Sequence, residues 1–440
     1  MKNIFKKIVI AILTLEARLV LVRYKPKIVA VTGSVGKTST KDALYSVLAG
    51  DFRVRKSEKS FNSELGVSLT VLGLPNGWSN PLIWLGNIFR GFFLIFTTNY
   101  RLQTTNYPDW LVLEIGTGVP RDIEGLAKWL IPEAVVVTRL SEVPVHVEFF
   151  KSPKEIIKEK GFLVQALEDH GTLFLNSDDR DVMGMREMKR QCRLVTFGIE
   201  ERADFQASNL EIVYEKNSHG AVPSGITFKV NHNGNSVPIS LRGALGRQHV
   251  YPALAALAFG ESLGLNIVGM AESVMVYTTP PGRMRIIAGV KHTTIIDDTY
   301  NSSPVAVTEA LRTLGEVKTS ARKIAVFGDM LELGKYSAKA HEKAGKETVG
   351  VADILITVGI RARDIAIGAL DNGMDEKNIF QFDGVAEAGK FVEGILVEGD
   401  IVLVKGSQGM RLELIVEEIM AEPERAGELL VRQGHEWKNR

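Results

Sequence analysis

The chain has 440 residues, 45% of them hydrophobic and 24% charged, and 53 Lys and Arg against 52 Asp and Glu leave a formal net charge of +1. That length predicts two or three domains, and the near-neutral balance gives no reason to expect a nucleic-acid partner. The single cysteine, Cys192, excludes an intrachain disulfide and a cysteine-based zinc site, and suits a reducing cytoplasm.

In chain order, residues 8–22 form an apolar segment that carries Glu16 and Arg18 and is flanked by Lys6, Lys7, Arg23 and Lys25. It is too short and too charged for a membrane span, and no small-residue cleavage site follows it. A helix lying on the protein, or on the inner face of a membrane, fits the pattern better. Next comes an apolar strand at 27–30, then Val31-Thr32-Gly33-Ser34-Val35-Gly36-Lys37-Thr38-Ser39-Thr40, then a helical stretch over 41–48. Strand, glycine-rich turn and helix N-terminus make a phosphate cradle, in which backbone N–H groups and the helix dipole face the anion. Lys37 adds a positive charge for the terminal phosphates, and the Thr38 hydroxyl is suited to Mg²⁺. Val31 stands where the usual motif has its first glycine. The expected ligand is a nucleoside triphosphate, held by Thr32, Gly33, Ser34, Val35, Gly36, Lys37, Thr38 and Ser39.

A second apolar segment, 81–96, is interrupted by Arg90 and lies in an insertion at 78–107. Two outcomes suit it: packing against the first segment as a hydrophobic hairpin, or a peripheral membrane contact. Residues 110–113 and 134–137 are apolar on both faces and read as buried strands. Helices are predicted at 153–168 and 250–263. Between them, 225–241 alternates apolar and polar residues around Asn233-Gly234, a hairpin signal. Thr279-Pro280-Pro281-Gly282 marks a hinge. Strands are then predicted at 293–296, 323–327, 353–358, 378–382 and 400–404, with helices between them. The fold class is therefore α/β: a central P-loop unit, 27–280, with a mostly parallel sheet and some antiparallel sheet, then a Rossmann-like unit, 281–440, with residues 1–26 as an N-terminal helix.

Ligands in open α/β sheets bind at the carboxyl ends of strands, and polar groups gather there. They are Glu114 and His146 in the first unit. In the second they are Asp297 to Asn301, Gly328 to Gly334, and Lys405 to Ser407.

These segments resemble the Mur ligase family, the ATP-dependent amide ligases of peptidoglycan assembly. The likeness is carried by Thr32 to Thr38, by NSELGVSLT at 62–70, Leu113-Glu114-Ile115-Gly116, IDDTYNSSP at 296–304, VFGDMLELG at 326–334 and VLVKGSQGMR at 402–411. It is nearest to the members that add D-alanyl-D-alanine to a UDP-linked muramoyl tripeptide. The resemblance implies ATP and Mg²⁺ as cofactors, a carboxylate donor such as a UDP-MurNAc-peptide, an amino acceptor such as D-Ala-D-Ala, and an acyl phosphate between them. It implies a cytoplasmic monomer active in cell-wall synthesis. By resemblance Thr38 and Glu114 hold Mg²⁺ and His146 a second Mg²⁺ site. Lys160, in Lys158-Glu159-Lys160-Gly161, matches a lysine that CO₂ converts to a carbamate serving as a metal ligand, although Phe162 departs from the family pattern. Arg283 matches a phosphate-binding arginine and Asp298 a residue near the ribose. His249 and Pro252 replace two asparagines of the family's base-binding motif, leaving His249 to face the purine. Asn62, Asn301, Asp329, Glu332, Lys405 and Ser407 fall at substrate-binding positions, and His341 matches a helix position of unassigned role. Because the P-loop begins at residue 32, the family's N-terminal UDP-binding domain is expected to be absent. Three alternatives stay open: a ligase of this fold with another substrate, of polyglutamate or pseudomurein type; a P-loop switch or motor; and a degenerate, non-catalytic scaffold.

Overall fold

Strands buried on both faces set the architecture of this computed structural model, which describes residues 2–58, 61–78, 80–96, 107–218, 220–434 and 437. Seven strands lie parallel: β1 (Lys27–Thr32), β2 (Val54–Lys56), β3 (Trp110–Glu114), β4 (Ala134–Val137), β5 (Thr172–Asn176), β6 (Arg193–Gly198) and β7 (Phe205–Asn217). Two antiparallel strands, β8 (Gly220–His232) and β9 (Asn235–Arg242), complete a nine-stranded sheet of order β2-β3-β1-β4-β5-β6-β7-β8-β9. The β8–β9 turn is Asn233-Gly234, both at positive φ (48° and 79°), as a tight two-residue hairpin requires.

A second sheet has six strands in the order β10-β11-β15-β12-β13-β14. They are β10 (Arg285–Ala288), β11 (Thr294–Asp298), β12 (Lys323–Gly328), β13 (Ile354–Val358), β14 (Ile379–Phe382) and β15 (Ile401–Lys405). Only β10 runs antiparallel.

Seven helices matter here: α1 (Lys2–Tyr24), α2 (Lys37–Leu48), α3 (Glu64–Leu72), α4 (Pro81–Phe96), α5 (Asp122–Ala127), α6 (Pro153–Gln165) and the helix Val250–Ser262. On one face of the large sheet, Leu44, Val47 and Leu48 of α2 meet Leu254 and Leu257 of Val250–Ser262 in a common core. There Trp110 packs edge-on against Phe259, ring centroids 5.2 Å apart. Such buried aromatics each stabilise a fold by about 3–5 kcal/mol relative to alanine. On the other face Leu13 and Val20 of α1, Val67 of α3 and Leu163 of α6 cover Ile28, Leu111 and Leu113.

Helix α1 packs against α3 and α4. Arg23 Nη1 donates to Ile95 O (2.7 Å) and the Tyr24 hydroxyl to Leu94 O (3.0 Å), which ties the end of α1 to the end of α4. Part of the 78–107 insertion, residues 97–106, lies outside the described residues. Among the described residues no helix is long and apolar enough to cross a membrane.

Candidate active site

The carboxyl ends of β1, β3 and β4 meet at one edge of the large sheet, and sequence dictates how. Gly33 has φ +144°, and a Cβ on it would stand 2.0 Å from Thr138 Oγ1. Only glycine lets the loop come this close to β4. The Thr138 hydroxyl donates to Val35 O (2.7 Å), and Ser34 N donates to Arg139 O (2.6 Å), so the loop is pinned before any ligand arrives. Gly36, at φ +88°, turns the chain into α2, which starts at Lys37 rather than at residue 41 as predicted. The free N–H groups of that first turn open into a cavity of about 360 Å³.

Thr38 is the meeting point. Its hydroxyl donates to Glu114 Oε2 (2.8 Å) and accepts from Arg283 Nη2 (2.9 Å), although Arg283 belongs to the linker before β10. The Arg283 guanidinium also lies over the Tyr300 ring, 4.0 Å from its centroid. Its main-chain carbonyl faces His249 Nε2 at 2.9 Å. That contact makes Nε2 the protonated nitrogen of a neutral ring, and burial pushes His249 down to about 4. His249 is thus joined to the linker, with Nδ1 unpartnered among the described residues.

Lys37 and Lys160 converge on one carbonyl. Lys37 Nζ donates to Gly33 O at 3.0 Å and Lys160 Nζ to the same oxygen at 2.9 Å. Burial lowers Lys37 from its ordinary value, opposed by Glu114 and reinforced by Arg283. Lys160 is held well below its ordinary value, first by burial and then by the charge of Lys37, with Glu159 opposing. Glu159 itself accepts from Ile123 N (2.7 Å) and Glu124 N (3.1 Å) at the start of α5, which fixes α6 and Lys160 with it.

The second sheet closes the cavity. Asp298 lies at the end of β11, and its Oδ2 accepts from Lys405 Nζ at 2.6 Å; Lys405, at the end of β15, also donates to Asn301 O (2.9 Å). Burial raises Asp298, with Lys405 and Arg283 pulling it back. Next to it Asp297 accepts from Gly282 N (3.1 Å) and from the Thr299 hydroxyl (2.6 Å), anchoring the hinge to β11; burial pushes it up to about 6. His146, in left-handed backbone at φ 71°, pairs through Nδ1 with the Glu332 carboxylate across the two units. Burial lowers His146, and Glu332 opposes that.

Asn62, Asn301 and Lys405 line the same cavity as Ser34 to Ser39, Glu114, His146, His249, Arg283 and Asp298, while Thr32, Gly33 and Lys160 lie outside its lining. Glu332 reaches it only through His146. Asp329 and Ser407 lie outside its lining. Asp329 accepts from Ala362 N (2.8 Å) and the Ser407 hydroxyl from Leu331 N (2.8 Å), so both shape the 328–334 loop. His341 does the same: Nε2 accepts from Met330 N (2.9 Å) and Nδ1 faces Ser337 O (2.8 Å), which assigns the neutral Nδ1–H tautomer. Sequence reasoning missed Asn176, fully buried at the end of β5, whose Oδ1 accepts from Asp178 N (3.0 Å) while Nδ2 is unpartnered among the described residues. It also missed the Arg139–Glu309 pair, 2.9 Å across the cavity mouth. Recognising 172–176 as a strand would have flagged Asn176; nothing local in the sequence pairs Arg139 with Glu309.

Two family models match the chain: the Mur ligase middle domain over residues 97–260, and the Mur ligase glutamate ligase domain over residues 282–408. The chain is 27% identical over 398 residues to the UDP-N-acetylmuramoyl-tripeptide–D-alanyl-D-alanine ligase of Bacillus subtilis, covering 90% of this chain and 76% of the relative. To the ligase of the same name from Escherichia coli it is 25% identical over 395 residues, covering 89% and 76%. The structure of MurF ligase from Thermotoga maritima in complex with ADP shares the fold, with a TM-score of 0.74 at 24% identity over 94% of this chain and 84% of that one. A pseudomurein peptide ligase type C from Methanothermus fervidus also shares it, with a TM-score of 0.61 at 22% identity over 90% of this chain and 79% of that one.

Proposed function

The chain belongs to the Mur ligase family, and from that premise we propose that it joins a peptidoglycan-precursor carboxylate to D-Ala-D-Ala or a similar amine. Members of the family are ATP-dependent ligases. One observation carries the reading for this chain: Thr38, Glu114 and Arg283 are joined through a single hydroxyl, beside Lys37 and Lys160. A nucleotide switch needs the phosphate loop but not the buried Lys160 or the second sheet's Asp298 and Lys405.

In this reading a donor carboxylate oxygen attacks the γ-phosphorus of ATP, the bond to ADP breaks, and an acyl phosphate forms. The acceptor amine then attacks the acyl carbon, gives up a proton and expels phosphate. Bringing anions together is the barrier in the first step, and preorganised cations lower it. Lys37 and the P-loop N–H groups face the terminal phosphates, and Arg283 reaches them from the linker. Asp298 takes the ribose and His249 lies on the base side. Asn62, Asn301 and Lys405 line the space left for donor and acceptor.

The Thr38 hydroxyl and the Glu114 carboxylate are hard oxygen donors 2.8 Å apart at the cavity wall, a fit for Mg²⁺. They would hold one ion and His146 would serve a second site, and the ions would neutralise phosphate charge. Lys160, depressed by burial, is held towards the neutral amine that can attack CO₂. Losing a proton, it becomes a carbamate whose negative charge would sit beside Lys37. Asp329, Glu332 and Ser407 then act on substrate by shaping the 328–334 loop. The partners are ATP, a carboxylate donor, an amino acceptor and, at the periphery, the inner face of a membrane; the protein works as a monomer.

The test is coupling. ADP release should require both a UDP-MurNAc-tripeptide-like donor and D-Ala-D-Ala. ATP hydrolysis indifferent to every donor and acceptor would refute the proposal. For Lys160, ¹³C NMR under ¹³CO₂ should give a carbamate resonance absent from Lys160→Ala.

A further inference from the structure

We propose that the outward faces of α1 and α4 seat the protein on a membrane surface bearing anionic lipid, with α4 lying in the plane of the interface. This rests on the peripheral contact proposed above and names its chemistry.

Helix α4 is apolar all round, with Trp84, Ile88, Leu94 and Ile95 packed against the core. It buries its amide and a glycine: Asn87 is 1% exposed and donates to Pro75 O (2.7 Å), and a Cβ on Gly91 would stand 2.1 Å from Glu16 Oε2. Outward it turns Leu82, Leu85, Phe89, Phe92, Phe93 and Phe96, each more than half exposed. The spacing i, i+3, i+7, i+10, i+11, i+14 places all six on one face, the face an ordinary surface helix keeps for its core. The packed partner α1 adds Ile8, Leu15, Leu19 and Val22, exposed at compatible spacing. Contiguous apolar surface of this kind marks an interaction site.

The charges select the occupant. Lys6, Lys7, Arg18, Arg23, Lys25 and Arg90 are exposed on or beside these helices. The carboxylate of α1, Glu16, is buried, and no Asp or Glu occurs between residues 65 and 108. A second copy would bring the same basic rim against this one. Anionic headgroups complement it, since each basic residue near such a surface adds to the attraction. Length fixes the pose: α4 has 16 residues, about 24 Å, less than the roughly 30 Å hydrocarbon core, so it lies in the interface. The cavity is close by. Asn62 lines it, α3 starts two residues later, and Ser68 of α3 hydrogen-bonds Thr14 of α1 (3.2 Å).

The experiment is flotation of the full chain with vesicles of phosphatidylcholine alone and with phosphatidylglycerol added at one part in three. Binding is expected on the mixed vesicles and to fall with salt. Phe89→Ser with Phe92→Ser should weaken it about tenfold or more, and Lys6→Glu with Lys7→Glu about thirtyfold or more. Neither pair should change affinity for an ATP analogue. Equal binding to neutral vesicles overturns the anionic assignment. Absence of vesicle binding, with self-association in sedimentation, overturns the proposal in favour of a second copy. Donor- and acceptor-dependent ADP release is read separately without vesicles, so the ligase reading can stand when this one fails.

Discussion

Two buried lysines at the rims of the two sheets have opposite surroundings. Lys405, at the end of β15, has a carboxylate 2.6 Å away in Asp298 and a carbonyl in Asn301. Lys160, on α6, has the Gly33 carbonyl and the repelling charge of Lys37. A buried charge is tolerable when paired and hydrogen-bonded and costs several kcal/mol when it is not. Lys405 therefore belongs to a finished structure. Lys160 has a carbonyl as its hydrogen-bond partner and Glu159 as its only favourable charge among the described residues, and the proposed carbamate would replace that poorly matched cation.

The largest expected effect lies in stability. Lys405→Met strands Asp298 without its cation and should cost about 3–5 kcal/mol, read as a lowered unfolding midpoint. Lys160→Met removes an ill-matched amine and should leave the midpoint equal or higher. The same ordering for both variants would abolish the distinction. Next comes the cation proposed to face phosphate: Lys37→Ala should reduce donor-dependent ADP release about 10²–10³-fold while leaving the fold intact by circular dichroism. Smaller again, Arg283→Lys keeps the charge but loses the planar fork over Tyr300, and should weaken ATP-analogue binding about 10–100-fold in calorimetry.

The smallest effect is a slope with pH. Lys160 titrates lower in the folded chain than when unfolded, so between the two values the unfolded state binds more protons. Wild-type stability should then rise with pH in that window by up to about 1.4 kcal/mol per pH unit relative to Lys160→Met, measured in CO₂-free buffer. Identical pH profiles for the two proteins would show that Lys160 stays charged. Adding bicarbonate should stabilise only the wild type.

Much of this was legible in the sequence because the chemistry is local. The P-loop announces itself through Gly33, Gly36, Lys37 and Thr38, and β3, β4, β12 and β15 are apolar enough to be read directly. The β8–β9 hairpin follows from Asn233-Gly234. Other parts were hidden for physical reasons. Strand β7 carries Glu211, Glu215 and Lys216, and register shifts after Ser208 and Val213 break its alternation. Short β2 and β10 lack any periodic signal. The juxtaposition of His146 with Glu332, and of Arg139 with Glu309, comes from how the two sheets pack, which no local pattern encodes. Asn176 looks like any turn asparagine until β5 places it. The outward apolar face of α4 was visible as apolar composition, but its direction depended on Gly91 and Asn87 facing inward.

Arg283 is fastened at both ends, its carbonyl to His249 and its guanidinium to Thr38, with Tyr300 beneath it. A rotation of the linker that moves one of these contacts moves all of them. With Arg283 on the phosphates as proposed, separation of the two sheets and release of the nucleotide would become a single kinetic event. Product ADP should leave no faster than the molecule opens, and viscosity in the medium should slow both together.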